Sequence, residues 1–287
     1  MGWHYRGAAY NGRTPTPPCM AEPTLSVVLI TRNEAANVKG CLASVAFADE
    51  WIVVDSGSTD QTCELARAAG AQVVSTTDWP GFGPQKNRAL ALASGRWVLS
   101  IDADERVTPQ LAARIQAVVA ADAAADPRAG SDAGRMAGYE FSRLSSFCGQ
   151  WMRHGDWYPD RVLRLFRRGA GRFSDDLVHE RLKIDGPVGR LDGELLHDSM
   201  PDLDSALEKM NRYSSGRAKD KVAQGERGGL GSALTHALWA FLRCYILRRG
   251  CLDGRLGLVL ALYVAQGTYY RYLKMAMLRQ PPKSVFD

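Results

Sequence analysis

The chain has 287 residues, of which 46% are hydrophobic and 23% charged, and its net charge is +5. This composition is ordinary for a globular protein, and the length suffices for one large domain or two small ones. The charge excess is too small to indicate a nucleic-acid partner. The six cysteines form no C-x-x-C pair, which favours reduced thiols in a cytoplasmic protein.

Strands and helices alternate along the first part of the chain. Residues 1–22 are rich in glycine, proline and threonine and are expected to form a disordered extension. Apolar, β-branched runs predict strands at 25–30, 51–54, 71–75 and 96–101. Periodic segments predict helices at 34–45, 60–69, 84–93 and 109–121, the first capped by Asn33. This alternation indicates an α/β fold with a mostly parallel sheet flanked by helices.

Three polar loops follow predicted strands, at 31–34, 55–60 and 102–105. Ligands bind at the carboxyl ends of the strands in such sheets, so the three loops are expected to converge on one site. The last loop carries Asp102 and Asp104, which point the same way on an extended chain and can bind Mg²⁺ or Mn²⁺. Taken alone, the pair is also compatible with a solvated acidic turn.

The pattern changes after a linker of small and acidic residues at 120–138. Alternating residues at 138–144 and 161–166 predict antiparallel or edge strands. Shorter pieces follow at 178–182 and 195–197, and a helix is expected at 203–224. Four arginines near the second strand indicate either a solvated face or a phosphate-binding surface: Arg161, Arg164, Arg167 and Arg168.

The last part of the chain, 228–287, is basic and apolar. Two segments in it, 228–242 and 256–270, contain no Lys, Arg, Asp or Glu. As helices they are too short for confident membrane spans. Their basic and aromatic flanks predict interfacial helices on an anionic membrane, whereas the alternative is a buried helix pair packed on the domain.

The blocks at 25–34, 53–60 and 102–105 resemble those of family 2 glycosyltransferases with the GT-A fold, in the same order and spacing. Segments at 160–168, 179–180 and 245–254 resemble the lipopolysaccharide core glucosyltransferases and their relatives. The resemblance implies a GT-A domain at 23–225, with a nucleotide-binding half (23–121) and an acceptor half (138–225).

This resemblance also implies a chemistry. It is the inverting transfer of a sugar, glucose in that branch, from a UDP-linked donor to a lipid-linked saccharide acceptor of the lipopolysaccharide core. The implied cofactor is Mg²⁺ or Mn²⁺. The implied location is peripheral, on the cytoplasmic face of the inner membrane.

Residue roles for the donor follow from the same resemblance. The donor nucleotide is expected to contact Thr31, Asn33, Glu34, Asp55, Lys86, Arg88 and Asp102. The metal ligand is Asp104, and His197 is either a third metal ligand or a structural histidine.

A general base is also required, because an acceptor hydroxyl is a poor nucleophile and a carboxylate must take its proton. The candidates are Asp160, Asp175, Asp176 and Glu180; the resemblance favours Glu180, with Asp160 second.

Three other functions stay open: a transferase for another cell-envelope glycan, a nucleotidyltransferase, and a non-catalytic protein that binds a nucleotide or a saccharide. The loop at 31–34 is not the Gly-rich, basic loop that a nucleotidyltransferase normally shows, and the intact carboxylates Asp55, Asp102 and Asp104 disfavour a non-catalytic protein.

Overall fold

The computed structural model describes residues 24–124, 135–174 and 181–279. The expected extension at 1–22, the linker segment 125–134, the segment 175–180 and the last eight residues lie outside these ranges. Within them, the strands are β1 (Leu25–Thr31), β2 (Glu50–Asp55), β3 (Gln72–Ser75), β4 (Trp97–Ser100), β5 (Glu105–Val107), β6 (Gly138–Phe147), β7 (Gln150–Trp151), β8 (Asp160–Arg167), β9 (Gly171–Phe173), β10 (Leu182–Ile184) and β11 (Val188–His197). The helices are α1 (Val38–Ser44), α2 (Thr62–Ala68), α3 (Phe82–Leu92), α4 (Pro109–Ala124), α5 (Leu203–Ala223), α6 (Leu230–Leu242) and α7 (Gly254–Arg279).

One mixed sheet of nine strands organises the domain, in the order β3-β2-β1-β4-β8-β6-β11-β5, with β7 paired to β6. The first four strands of this order are parallel, as predicted. Strand β8 is antiparallel to both β4 and β6, β11 is parallel to β6, and β5 is antiparallel to β11. The two expected halves therefore share one continuous sheet. The alternative of edge strands at β6 and β8 is wrong, because both lie inside the sheet.

The central strand β1 is buried on both faces, which explains its nearly continuous apolar sequence. Val27 and Leu29 pack in a cluster with Val38 of α1 and Ile115 of α4. Val28 packs on the opposite face in a second cluster, against α3. The sheet is thus covered by helices on both sides, and its carboxyl edge is left open.

The first helix begins later than predicted, at Val38 rather than at 34. Asn33 does not cap it: its backbone is in the left-handed region, at φ 58°. The Asn33 N–H donates to Ser58 Oγ, and its side-chain oxygen accepts the N–H of Thr59, both at 2.8 Å. Asn33 therefore ties the first polar loop to the second.

The C-terminal helices pack on the domain and on each other. Leu260 and Tyr263 of α7 join Phe147 of β6 in an apolar cluster. Lys274 Nζ donates to the side chains of Asn211 and Ser214 on α5, at 2.7 and 2.8 Å. Helix α7 therefore packs on the domain through part of its surface, as the alternative expected, although only four of its residues are buried: Gly257, Leu260, Ala261 and Met275.

The outer face of α6 is apolar and uncovered. Four of its large side chains are between 54% and 61% exposed: Leu230, Leu234, Leu238 and Trp239. Among the described residues, one segment, 230–247, is long and apolar enough to cross a membrane, and only 11% of it is buried.

Candidate active site

A cleft of about 1250 Å³ opens at the carboxyl ends of β1 and β4, and its opposite wall is formed by β8, the end of β11 and α5. The predicted site residues that line it are Thr31, Glu34, Lys86, Asp102, Asp104, Asp160 and His197. Asn33, Asp55 and Arg88 are not among its lining residues. Glu180, the favoured base, lies outside the described residues. On either side of it in sequence, Phe173 and Arg181 line the cleft.

Asp104 and His197 meet inside the cleft, with 3.3 Å between Asp104 Oδ2 and His197 Nε2. The antiparallel pairing of β5 with β11 causes this, because it sets His197 opposite Glu105 and next to Asp104. The other ring nitrogen, Nδ1, lies 3.0 Å from Ser145 Oγ, which orients Nε2 toward the carboxylate.

These two side chains can hold a divalent cation. No group of three or more His, Cys, Asp or Glu side chains suited to a metal occurs among the described residues. Two protein ligands nevertheless fit an ion of the Mg²⁺ or Mn²⁺ type, which is commonly bound by one or two carboxylates together with substrate phosphates and water.

Asp102 plays a different part, since two cations already bind its carboxylate. Lys86 Nζ lies 3.0 Å from Oδ1, and Arg164 Nη2 lies 2.7 Å from Oδ2. Burial disfavours the ionised form, but Arg164 and Lys86 outweigh it and hold the pKa of Asp102 well below its usual range. Asp102 is therefore a fixed, ionised anchor of the acidic loop.

Behind the loop, Glu105 and Arg164 form a buried ion pair. Glu105 is fully buried and Arg164 is 7% exposed. Glu105 Oε1 accepts from Arg164 Nη2 at 2.9 Å, while Oε2 accepts the backbone N–H of Asp102 at 2.9 Å. Burial disfavours the charge of Arg164, but Asp102 and Glu105 raise its pKa above the usual value.

The predicted roles of the strand arginines need correction at Arg164, whereas Arg168 is exposed, as expected for a solvated face. Arg164 neither faces solvent nor is free to bind phosphate, because its strand lies inside the sheet and its side chain holds the acidic loop. Arg167 binds Asp122 and lies over the Trp97 ring, and Arg168 donates to the carbonyl of Gly95 at 3.0 Å. Among the four, only Arg161 is an exposed residue of the cleft wall.

Asp55 stabilises the second polar loop, at 55–60, through hydrogen bonds. Its carboxylate accepts four hydrogen bonds, from Thr31 Oγ1, from the N–H groups of Gly57 and Ser58, and from Ser58 Oγ. Burial opposes ionisation, but the bonds from Ser58 and Thr31 prevail and lower the pKa of Asp55. Contact of Asp55 with a nucleotide stays a prediction.

The α3 residues divide between the cleft and the surface. Gln85 is buried and donates to Ser56 Oγ and Thr76 Oγ1, at 3.0 and 2.8 Å, which braces the second loop. Arg88 forms a two-pronged salt bridge with Asp78, at 2.8 and 2.6 Å, outside the cleft. Only Lys86 of this helix projects toward the acidic loop.

Glu34 and Asp160 are the other carboxylates of the cleft named above. Burial raises the pKa of Glu34, and the charges of Asp104 and Asp102 add to the rise, although a hydrogen bond from Asn37 opposes it. Asp160 Oδ2 accepts from Nε and Nη2 of Arg143, at 2.9 and 2.6 Å. Arg143 thus connects Asp160 to Glu105, whose Oε1 lies 3.6 Å from its Nη1.

A parallel half-sheet, an acidic loop after β4 and an open cleft toward a second half are the features of a nucleotide-binding domain of the GT-A type. Residues 26–170 match a family model that is described as "Glycosyl transferase family 2". This chain belongs to that family, and it is a glycosyltransferase.

Two relatives known from sequence support the same assignment over most of the chain. The lipopolysaccharide core biosynthesis glycosyltransferase LpsC of Rhizobium meliloti is 32% identical over 262 residues, covering 89% of this chain and 92% of its own. An uncharacterized glycosyltransferase of Rickettsia typhi is 29% identical over 266 residues, covering 89% and 87%. Among solved structures, S. aureus TarS 1-349 aligns over 90% of this chain and 92% of its own, with 15% identity and a TM-score of 0.45.

Proposed function

We propose that the protein transfers glucose from a UDP-linked donor, with inversion, to a lipid-linked saccharide of the lipopolysaccharide core. The likeness to LpsC along 89% of the chain supports the choice of acceptor class. The observation that carries the proposal is the meeting of Asp104 and His197 in the cleft, 3.3 Å apart. The donor diphosphate belongs beside this pair, and the nucleotide beside Thr31 and Lys86.

The chain's own residues prepare the donor site. Arg164 and Lys86 hold Asp102 ionised and in place, which fixes the backbone that presents Asp104. Ser145 orients the His197 ring. Asp104 and His197 would hold a divalent cation, which, when bound, stabilises the negative charge that develops on the diphosphate leaving group.

The proton of the acceptor hydroxyl must go to a carboxylate on the opposite side of the sugar. Glu180 is the first candidate, and Asp160, which lines the cleft, is the second. Glu180→Gln is expected to leave UDP affinity within about twofold of wild type and to lower the turnover number more than about a hundredfold, since general-base catalysis contributes roughly 10²–10⁴. Turnover is measured as UDP release in the presence of acceptor-bearing membranes.

Asp160→Asn provides the comparison. If Glu180→Gln stays active while Asp160→Asn is inactive and still binds UDP, the base is Asp160. If both variants keep full turnover, neither carboxylate is the base.

Membrane association completes the proposal. The uncovered apolar face of α6 would lie in the headgroup region on the cytoplasmic side of the inner membrane. Arg249, which follows α6 in the chain, is exposed and suits anionic headgroups. This arrangement would bring the cleft close to a lipid-linked acceptor.

Leu234→Gln, Leu238→Gln and Trp239→Gln combined are expected to reduce binding to anionic phospholipid vesicles about a hundredfold or more. The reason is that each large apolar side chain contributes roughly 1.5–3 kcal/mol when it leaves water. Binding is measured by vesicle co-sedimentation, and circular dichroism checks the fold.

Leu92→Gln is the matched control, because Leu92 is also an exposed leucine, 38% exposed, but lies on α3. It is expected to bind vesicles like wild type. Equal vesicle binding by the triple variant and wild type would contradict the membrane proposal, and a concentration-dependent dimer that the triple variant abolishes would assign the face to a second copy instead.

A further inference from the structure

Two cations of helix α5 line the wall of the cleft that lies opposite Thr31 and Lys86. Lys209 and Arg212 lie one turn apart on α5, and both line the cleft. Within the described residues, neither has a carboxylate oxygen within 4 Å. Three other cations that line the cleft differ, because Lys86 and Arg164 bind Asp102, and Arg143 binds Asp160.

Lys209 is partly buried, and its ammonium group makes only long hydrogen bonds. Its Nζ makes two long contacts, of 3.4 Å each, with the carbonyl oxygen and the hydroxyl of Ser199. Burial lowers the pKa of Lys209, the charge of Asp104 opposes this, and the nearby Arg212 and Arg143 add to the lowering. A desolvated ammonium among other cations is unfavourable unless an anion joins it.

Contacts of α5 at its first turn and further along the helix fix the position of these two cations. Helix α5 starts six residues after His197, and Asp202 caps it by accepting the N–H of Ser205 at 2.7 Å. Further along, α5 is bound by Lys274 of α7. Lys209 and Arg212 therefore stand between the metal-binding pair and the C-terminal helices, on the opposite wall from Thr31 and Lys86.

We propose that Lys209 and Arg212 form an anion subsite that binds a phosphate or carboxylate group of the acceptor. The inference rests on the proposed function and specifies its acceptor: a saccharide that carries an anionic group close to the hydroxyl that receives the sugar. The planar guanidinium of Arg212 can donate two hydrogen bonds to one anionic group, and the ammonium of Lys209 adds a compact positive charge. Tyr213 lines the cleft next to this pair, and its ring lies under the Arg212 guanidinium at 5.7 Å, which helps to orient that side chain.

The test uses methyl phosphate as the probe and calorimetry on the full chain saturated with UDP and Mn²⁺. Wild type is expected to bind methyl phosphate, and Lys209→Met combined with Arg212→Gln is expected to weaken that binding about tenfold or more. UDP affinity is expected to stay within about twofold in the double variant. Arg217→Gln is the control, because Arg217 is an exposed arginine of the same helix outside the cleft, and it should bind both compounds like wild type.

Two results would overturn the inference. If the double variant loses UDP affinity by the same factor, these cations hold the donor diphosphate. If methyl phosphate binds wild type and double variant equally, or binds neither, no such subsite exists. If wild type binds no UDP at all, the proposed function fails, and the same methyl phosphate titration without nucleotide decides the subsite separately.

Discussion

Asp104→Asn is expected to remove metal-dependent binding of UDP and to lower kcat/KM for sugar transfer about a thousandfold. The substitution keeps the shape of the side chain but replaces a charged ligand oxygen by a weak amide oxygen. Lewis-acid stabilisation of a leaving group is worth several kcal/mol, and about 1.4 kcal/mol corresponds to a factor of ten in rate. Calorimetry with UDP, with and without Mn²⁺, measures the binding, and UDP release measures the rate.

His197→Gln should give a smaller loss in the same direction, because Asp104 would still supply the charged ligand. Asp192→Asn is the control: Asp192 is exposed, lies on the same strand as His197 and does not line the cleft. Metal-dependent UDP binding of normal strength by Asp104→Asn would remove this residue from the metal site.

Arg164→Met is expected to lower the free energy of unfolding by about 3–5 kcal/mol, because it removes the nearer of the two cations beside the fully buried Glu105 carboxylate and leaves only Arg143, at 3.6 Å. For a chain of this size the melting temperature should fall by roughly 10 °C. Transfer activity should fall as well, because Asp102 loses the cation on Oδ2. Denaturant unfolding and calorimetry measure the two stability effects.

The loss of stability in Arg164→Met is also expected to depend on pH. The pKa of Asp102 is lower in the folded protein than in the unfolded chain, so its stabilisation is present above about pH 4 and declines as the pH falls below that value. The stability difference between wild type and Arg164→Met should therefore narrow in acid.

Arg190→Met is the surface control, because Arg190 forms a 2.7 Å salt bridge with Glu140 while its own side chain is 74% exposed. Its loss should cost about 1 kcal/mol or less. Adding Glu105→Gln to Arg164→Met should restore part of the lost stability, because no unpaired buried charge remains. If Arg164→Met and Arg190→Met lowered the free energy of unfolding by equally small amounts, the stabilising role of the buried Glu105–Arg164 ion pair would be contradicted.

The order of elements and the first four strands could be predicted from sequence, since β1, β2 and β4 carry the apolar runs of buried strands and β3 carries two adjacent valines. The later strands could not be placed so well. Alternation at β6 and β8 is typical of half-covered strands. Which neighbour each one pairs with, however, depends on contacts distant in sequence, such as β8 with β4. Asn33 looked like a helix cap, but its partner is a loop that lies 25 residues away.

The active site also has some features that the sequence predicts and others that it does not. The acidic loop is readable from Asp102 and Asp104 after a strand, and the encounter of Asp104 with His197 could be suggested only through resemblance. The Glu105–Arg164 pair gave no sequence signal, because an arginine in an alternating strand usually faces solvent. Lys209 and Arg212 carry no motif either, and only the placement of α5 against the cleft reveals them.

The most direct test of the central claim is calorimetric titration of the full chain with UDP, GDP and CDP, each with and without Mn²⁺ or Mg²⁺. A nucleotide-sugar transferase with Asp104 and His197 in its donor site should bind UDP in preference to the other two, and only in the presence of the metal. Binding of none of the three nucleotides under any of these conditions would contradict the account.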